Sequence, residues 1–256
     1  MDENILVSAG TSFLTTLLTN GVTAPARTLD NVWNYVFGPM DEYLIKHNAQ
    51  RQLNIELFKK ELHSKLSAIP EENLQEPKLS VIGPLLEASK YYIDEKEIRD
   101  MFSNLTAAAC DKRNANTAHH AFVEIIKQMN PIEAKVFKSL RDNPTYLVSC
   151  LVHTGSSHDL LAQNILINEV FPDYSIDVSI GLSNLNRLGL ITITDNLGTV
   201  KIEAQQKEEL NAYHQTKHYS ELCQDYGKAS LEVFTQPCHI TTFGFAFKQI
   251  CLNTEV

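Results

Sequence analysis

The sequence has few of the residues from which phosphate-binding loops are built. Its ten glycines occur singly, and neither a GxxxxGK[ST] loop nor a GxGxxG loop is present. Such loops hold phosphate groups against closely spaced backbone N–H groups. A GxSxG nucleophile elbow is missing as well. The sequence therefore predicts no nucleotide cofactor and no hydrolase of that type.

Clustered cysteines are also missing. The chain contains five cysteines, an odd number, and no two of them form a CxxC pair. Disulfide frameworks and thiolate zinc sites are built from even, clustered sets. We therefore expect free, buried thiols and a cytoplasmic protein.

Positive charge is scarce. The net charge is −9, and neither half of the chain is basic. Proteins that bind nucleic acids neutralise phosphates with clustered Lys and Arg, so binding of this kind is disfavoured. Hydrophobic residues make up 43% and charged residues 21% of the chain, as in ordinary globular proteins.

No apolar run is long enough to cross a membrane. The most apolar stretch near the start, residues 5–18, is interrupted by Ser and Thr and follows two acidic residues. The sequence thus predicts neither a secretory signal nor a transmembrane segment. A surface-lying helix that perturbs membranes remains an alternative, although the Lys and Arg of an interfacial helix are missing there.

Residues 1–76 are expected to form long helices that mediate self-association or partner binding. Gly38-Pro39 predicts a kink or break, and a second helix should run over residues 41–66. This second run carries one apolar stripe at coiled-coil spacing. The stripe consists of Ile55, Phe58, Leu62, Leu66 and Ile69. Either a neighbouring helix or a second copy of the chain should cover it.

Residues 77–130 are expected to form a bundle of short helices. The apolar spacing predicts helices over residues 79–92, 94–111 and 118–129. Asp94 is a suitable N-cap for the second helix, and Pro131 suits the first position of a fourth.

Residues 131–256 mix helix and strand signals. We expect strands near residues 146–152 and 230–235, a hairpin of residues 190–194 and 199–203, and helices over 176–188, 208–226 and 241–252. A helix followed through RLGLI by a two-stranded wing is typical of a winged helix. The predicted fold class is mainly α: long N-terminal helices and a helical bundle, then a small α+β winged-helix-like module.

Several motifs in the middle of the chain resemble a known family. They are PLLEA at 84–88, MFSNL at 101–105 followed by alanines at 107–109, HAFV at 120–123, MNP at 129–131 and TTFGFAF at 241–247. In this order they are similar to the bacterial abortive-infection alpha family. The resemblance implies defence against bacteriophage, in which an infected cell stops growing or dies before the phage matures. It transfers no catalytic residues. The apolar members of the motifs also suit a bundle core.

Three histidine-containing clusters are candidate sites. His119 and His120 are adjacent, so on a helix they diverge by about 100°, and a capping or surface role is favoured. His214, His218 and Glu221 would share one face of a single helix, a spacing suited to a divalent metal. Residues 154–159 contain Ser, His and Asp in a row, which predicts a loop because a triad must converge from separate elements.

None of these clusters predicts a site outright, so the sequence indicates no catalytic, cofactor-binding or metal-binding residues. The leading hypothesis is a non-enzymatic phage-defence protein that acts through protein–protein interaction, as a homo-oligomer or with another protein. A transcriptional regulator that reads DNA through the helix at 176–188 is the alternative, but Arg187 is the one basic residue there.

Overall fold

The computed structural model describes residues 24–47, 49–194 and 204–252. The chain divides into two compact units, Met1–Pro131 with Ala246–Val256, and Ile132–Phe245. We call the first the helical unit and the second the mixed unit. The mostly helical architecture with a small antiparallel sheet agrees with the predicted combination of a helical part and an α+β part, whereas the winged-helix-like arrangement stays a prediction.

The helical unit is built from five α-helices and two short turns among its described residues. In chain order these are α1 Ala24–His47, α2 Ala49–Ser67, a 3-10 turn Glu71–Asn73, α3 Leu79–Tyr92, α4 Lys96–Ala109, α5 Ala121–Ile126 and a π-helical turn Lys248–Leu252.

The apolar stripe of α2 is covered by the chain itself. All five of its side chains are buried within the unit, where α2 packs on α1 and α4. Phe58 stacks on Trp33 of α1 at 5.7 Å between ring centroids, and Trp33 stacks on Phe37 at 4.4 Å. The sequence left open whether a neighbouring helix or a second copy of the chain covers the stripe. The structure shows neighbouring helices. The stripe does not require a second copy of the chain.

The predicted helix boundary near Gly38-Pro39 is wrong. Helix α1 continues through Gly38-Pro39 to His47, and the predicted helix over 41–66 is divided between α1 and α2. Helix α3 has the predicted bounds, and Pro84 lies inside it, directly after Gly83. A proline disfavours helical backbone in the preceding residue partly through that residue's Cβ. Glycine has no Cβ, so each pair is compatible with a continuing helix.

The predicted N-cap of α4 is also wrong. Glu95 occupies the cap position, and its side chain makes no capping hydrogen bond. Asp94 instead accepts hydrogen bonds from Arg51 Nη1 at 3.1 Å and Asn54 Nδ2 at 2.9 Å, both from α2. Two side-chain donors, one of them charged, compete successfully with a single backbone N–H for this carboxylate.

The mixed unit contains a four-stranded antiparallel sheet with α-helices around it. Its elements in chain order are α6 Pro131–Ser139, β1 Thr145–Thr154, β2 Ser157–Ile165, α7 Ile176–Arg187, β3 Ile191–Ile193, α8 Ala204–His214, α9 Lys217–Tyr226, a 3-10 turn Lys228–Ser230, β4 Leu231–Ile240 and α10 Thr242–Phe247. Helix α6 begins at Pro131, as predicted.

The strand order is β2-β1-β4-β3, so β1 lies at the centre beside β4. Val148 and Cys150 of β1 join Tyr213 of α8 in the buried core of this unit. The strand predicted at residues 230–235 is present as β4 and extends to Ile240. Asn164 of β2 adopts φ of 53°, close to a point where the β1–β2 register shifts, as expected for a bulge.

Two further predictions for this unit meet different outcomes. The single helix expected over residues 208–226 is wrong, because α8 ends at His214 and α9 starts at Lys217. Thr216 caps α9, since its hydroxyl accepts a hydrogen bond from the N–H of Tyr219 at 3.2 Å.

For the predicted hairpin, β3 is present and pairs with β4, with Ile191 opposite Ile240. Residues 199–203 lie outside the described residues.

The motif at 241–247 has a structural explanation. Thr241 Oγ1 donates to the carbonyl oxygen of Gly189 at 2.6 Å and accepts from the N–H of Gly244 at 2.8 Å, which caps α10. A Cβ added to Gly244 would lie 1.9 Å from the carbonyl oxygen of Leu190. Only glycine allows the start of α10 to approach the 189–190 backbone this closely.

None of the described helices combines the length and the hydropathy that a membrane crossing requires.

Substitution Gly244→Ala should destabilise the mixed unit by at least about 2 kcal/mol, because its backbone must separate from that of Leu190. Urea unfolding of the full chain measures this. Gly155→Ala is the matched control: its Cβ would meet nothing within 4 Å, so only its φ of +69° opposes the change, at about 1 kcal/mol. An equal or smaller loss for Gly244→Ala would show that the close approach is not needed.

Candidate functional site

A polar groove of about 370 Å³ lies in the helical unit. Residues of α2, α4, the loop after α4 and the π-helical turn contribute to it. They are Lys65, Ile69, Asn104, Ala107, Ala108, Asp111, Arg113, Asn114, Thr117, Gln249 and Ile250. Most of these side chains carry hydrogen-bonding groups, and the two alanines of α4 leave space between them.

Asp111 and Arg113 form the main charged pair of the groove. Arg113 Nε donates to both carboxylate oxygens at 3.0 Å, and Nη2 donates to Oδ2 at 2.6 Å. The Asp111 side chain is 2% exposed and that of Arg113 is 48% exposed. Burial alone would raise the pKa of Asp111, but the hydrogen bonds and charge of Arg113 outweigh it and hold the pKa below its ordinary value.

The loop that carries this pair is fastened to the segment before α3. The N–H of Gln75 donates to the carbonyl oxygen of Cys110 at 2.9 Å, and the N–H of Lys112 donates to that of Asn73 at 2.8 Å. Lys112 Nζ also donates to the carbonyl oxygen of Glu72 at 2.7 Å. These bonds hold Asp111 and Arg113 at a defined place on the rim.

Lys65 and the π-helical turn also line the groove. Burial lowers the pKa of Lys65, although nearby Asp100 and Glu61 act in the other direction. Asn104 Nδ2 donates to the carbonyl oxygen of Cys251 at 2.7 Å and so binds the turn to α4. The turn places Gln249 in the groove, and π-helical turns frequently occur at functional sites.

Chemically, the groove is suited to binding. The carboxylate of Asp111 is fully engaged by Arg113, and the described lining residues bring neither a histidine nor a thiol beside the hydroxyl of Thr117. Exposed N–H groups of Arg113 and Gln249 would instead donate hydrogen bonds to the carbonyl or carboxylate oxygens of a ligand.

Comparison with known proteins decides the family. The chain matches the family described as abortive infection alpha over residues 50–251, which covers most of its length. The chain belongs to the abortive infection alpha family. No curated protein and no solved structure shows a significant match to it. The family resemblance expected from the sequence motifs is thus confirmed.

In this family member the motifs mostly build the core of the helical unit. Phe102 and Leu105 of α4 and Phe122 and Val123 of α5 are at most 2% exposed, and Phe122 meets Phe247 edge to face at 5.2 Å between centroids. The predicted core role of these side chains is confirmed. Ala107 and Ala108 of the same motif region face the groove as well, so the motifs connect core and groove.

The structure places the His119-His120 pair at the start of α5. Their rings stack at 4.3 Å, and His119 Nδ1 accepts a hydrogen bond from the N–H of Ala121 at 3.1 Å. The favoured capping or surface role is confirmed for His119.

His214, His218 and Glu221 do not lie on one helix as predicted. His214 ends α8, whereas His218 and Glu221 belong to α9. Tyr213 and His218 form a hydrogen bond at 3.0 Å between the hydroxyl and Nδ1. The break follows from the Thr216 cap, which helical spacing alone did not reveal.

Another cluster with the same ligand types was missed at the sequence level. His153, His158 and Glu232 each offer one ligand atom, and these atoms lie within 4.8 Å of one another. The predicted loop over residues 154–159 is in fact a tight hairpin turn, since β1 reaches Thr154 and β2 begins at Ser157. A Gly-Ser turn between two histidines could have indicated their pairing. Nothing near Glu232 in sequence indicates its proximity.

The pH dependence of stability should reflect the Asp111–Arg113 pair. A carboxylate with a lowered folded-state pKa stabilises the protein above its unfolded pKa of about 3.9, and this contribution is lost as the pH falls through the folded pKa. Asp111→Asn should therefore be less stable than wild type at pH 7 and lose less stability below about pH 4.

Urea unfolding at several pH values measures this difference. Asp225→Asn provides the control, because the same substitution at an exposed position is expected to change stability little. Parallel curves for wild type and Asp111→Asn would show that the pair contributes nothing to acid sensitivity.

Proposed function

We propose that this protein defends cells against bacteriophage by abortive infection and acts through contact with a protein partner rather than through catalysis. The observation that carries the proposal is the family match over residues 50–251. The geometry of the groove supports the binding part of it.

The groove suits a polar peptide segment of a partner. Arg113 is half exposed although its guanidinium is held by the buried Asp111, so it is oriented before a ligand arrives. A preoriented donor loses little side-chain freedom on binding. Asn114, Thr117 and Gln249 add hydrogen-bonding groups around it, as expected for recognition of backbone or carboxylate oxygens.

The mixed unit supports protein contact over DNA reading. Helix α7 holds the place of the recognition helix in the proposed winged-helix-like arrangement, because it precedes β3 directly. Ile176 and Ile180, one turn apart, are 57% and 56% exposed on it, and Arg187 Nε bonds to Asn184 Oδ1 at 2.9 Å. Exposed apolar side chains suit a protein interface, whereas groove readers present basic and amide side chains to DNA.

We also propose self-association through the N-terminal helices, but through the exposed side of α2 and not through its apolar stripe. Because the stripe of α2 is buried in its own unit, a second copy would meet the outward side of α2. Leu53 and Leu57 lie there one turn apart and are 52% and 37% exposed.

Blocking the groove should abolish defence while the fold is retained. Thr117→Arg places a long cation inside the groove, where it collides with any ligand bound to Arg113. In cells that express the variant, phage plaque counts should rise to those of cells without the gene. Plaque assays on a panel of phages that wild type restricts measure this.

Asn116→Arg is the matched control. Asn116 is the exposed neighbour of Thr117 and does not line the groove, so the same substitution should leave protection intact. Equal protection by both variants would remove the groove from the proposal. Absence of protection by the wild-type gene across a broad panel would remove the defence role itself.

A further inference from the structure

We propose that His153, His158 and Glu232 form a binding site for a divalent transition-metal ion, zinc in the first place, at the open end of the sheet. The proposal concerns the mixed unit and is independent of the groove and of the defence role. It rests on the convergence of three side chains of types that bind zinc, two imidazoles and one carboxylate, from three adjacent strands.

The strand register brings these side chains to one face. In β1, Leu151 is paired with Leu160 of β2 on one side and with Glu232 of β4 on the other. His153 lies two residues further along β1 and therefore projects to the same face, directly opposite His158. Directly opposed residues have Cβ atoms about 5 Å apart. The pairing of β1 with β2 therefore places the two imidazoles next to each other.

The observed distances leave only small movements to reach coordination. His153 Nε2 lies 3.0 Å from Glu232 Oε2, and the His153 and His158 rings meet edge to face at 4.4 Å between centroids. Ligands of a tetrahedral zinc ion at about 2.0–2.1 Å from the metal are a little over 3 Å from one another. The three ligand atoms, all within 4.8 Å of one another, can close this gap by rotation of exposed side chains.

The ligand set determines the class of ion. Two imidazoles with one carboxylate suit zinc, and also nickel and copper, whereas calcium and magnesium prefer an all-oxygen shell. Three protein ligands leave one position for water. The His153–Glu232 hydrogen bond already directs both side chains towards the same point.

A bound ion would connect three strands. It would join β2, β1 and β4 at the end where the sheet is exposed, close to the Gly155-Ser156 turn. The expected consequence is slower opening of the β1–β2 hairpin, because the ion binds the paired state and not the separated strands.

Calorimetric titration of the metal-free full chain with zinc chloride tests the site. We expect one ion per chain for wild type. His153→Gln, His158→Gln and Glu232→Gln should each weaken binding roughly tenfold or more, at least the loss caused by removing a supporting residue of a metal site. Amide exchange in residues 151–160 should slow on addition of zinc in wild type but in none of these three variants.

Two histidines outside the cluster serve as matched controls. His239 is exposed on the same strand as Glu232, and His214 is exposed at the end of α8. His239→Gln and His214→Gln should bind zinc as wild type does. The proposal is overturned if wild type shows no binding heat, if any of the three cluster variants binds as wild type, or if His214→Gln loses binding. All five substitutions are at exposed positions, where effects on stability are small, and circular dichroism verifies folding.

Discussion

The packing of the helical unit depends on helix α4, which is buried on all sides. Eleven of its fourteen residues are buried, and four of them are polar or charged. A helix enclosed in this way needs partners for its polar groups. Arg99 Nη1 donates to the carbonyl oxygen of Ile93 at 2.9 Å, and Asn104 donates to that of Cys251. The second bond is the more consequential, because it fastens the end of the described chain to the centre of the unit.

The groove is a product of this arrangement. Its small residues come from the last turn of α4, its charged pair from the loop that follows, and Gln249 from the turn that Asn104 holds. A buried carboxylate requires a cation beside it, and Asp111 obtains one from Arg113, two residues further on. Arg113 therefore neutralises the buried charge of Asp111 and is also exposed to a ligand.

Much of the helical part could be predicted from apolar spacing, since the sides that α2 and α4 bury have the helical period. Gly38-Pro39 was misleading, because the effect of a proline on a helix depends on whether the residue before it has a Cβ. The two histidine clusters show the same limit. Helical spacing predicts His214 and His218 on one helix, but a new helix begins after the Thr216 cap between them. His153 and Glu232 are separated by 79 positions and come together only through strand pairing.

Infection at two multiplicities tests the central claim most directly, with cells that carry the gene and cells from which it has been deleted. At low multiplicity the carrying culture should survive, because the first infected cells release few phages. At high multiplicity it should collapse, with a burst far below that of the deletion strain. Survival at both multiplicities would mean that infection is stopped before cells are committed to die, and would contradict abortive infection by this protein.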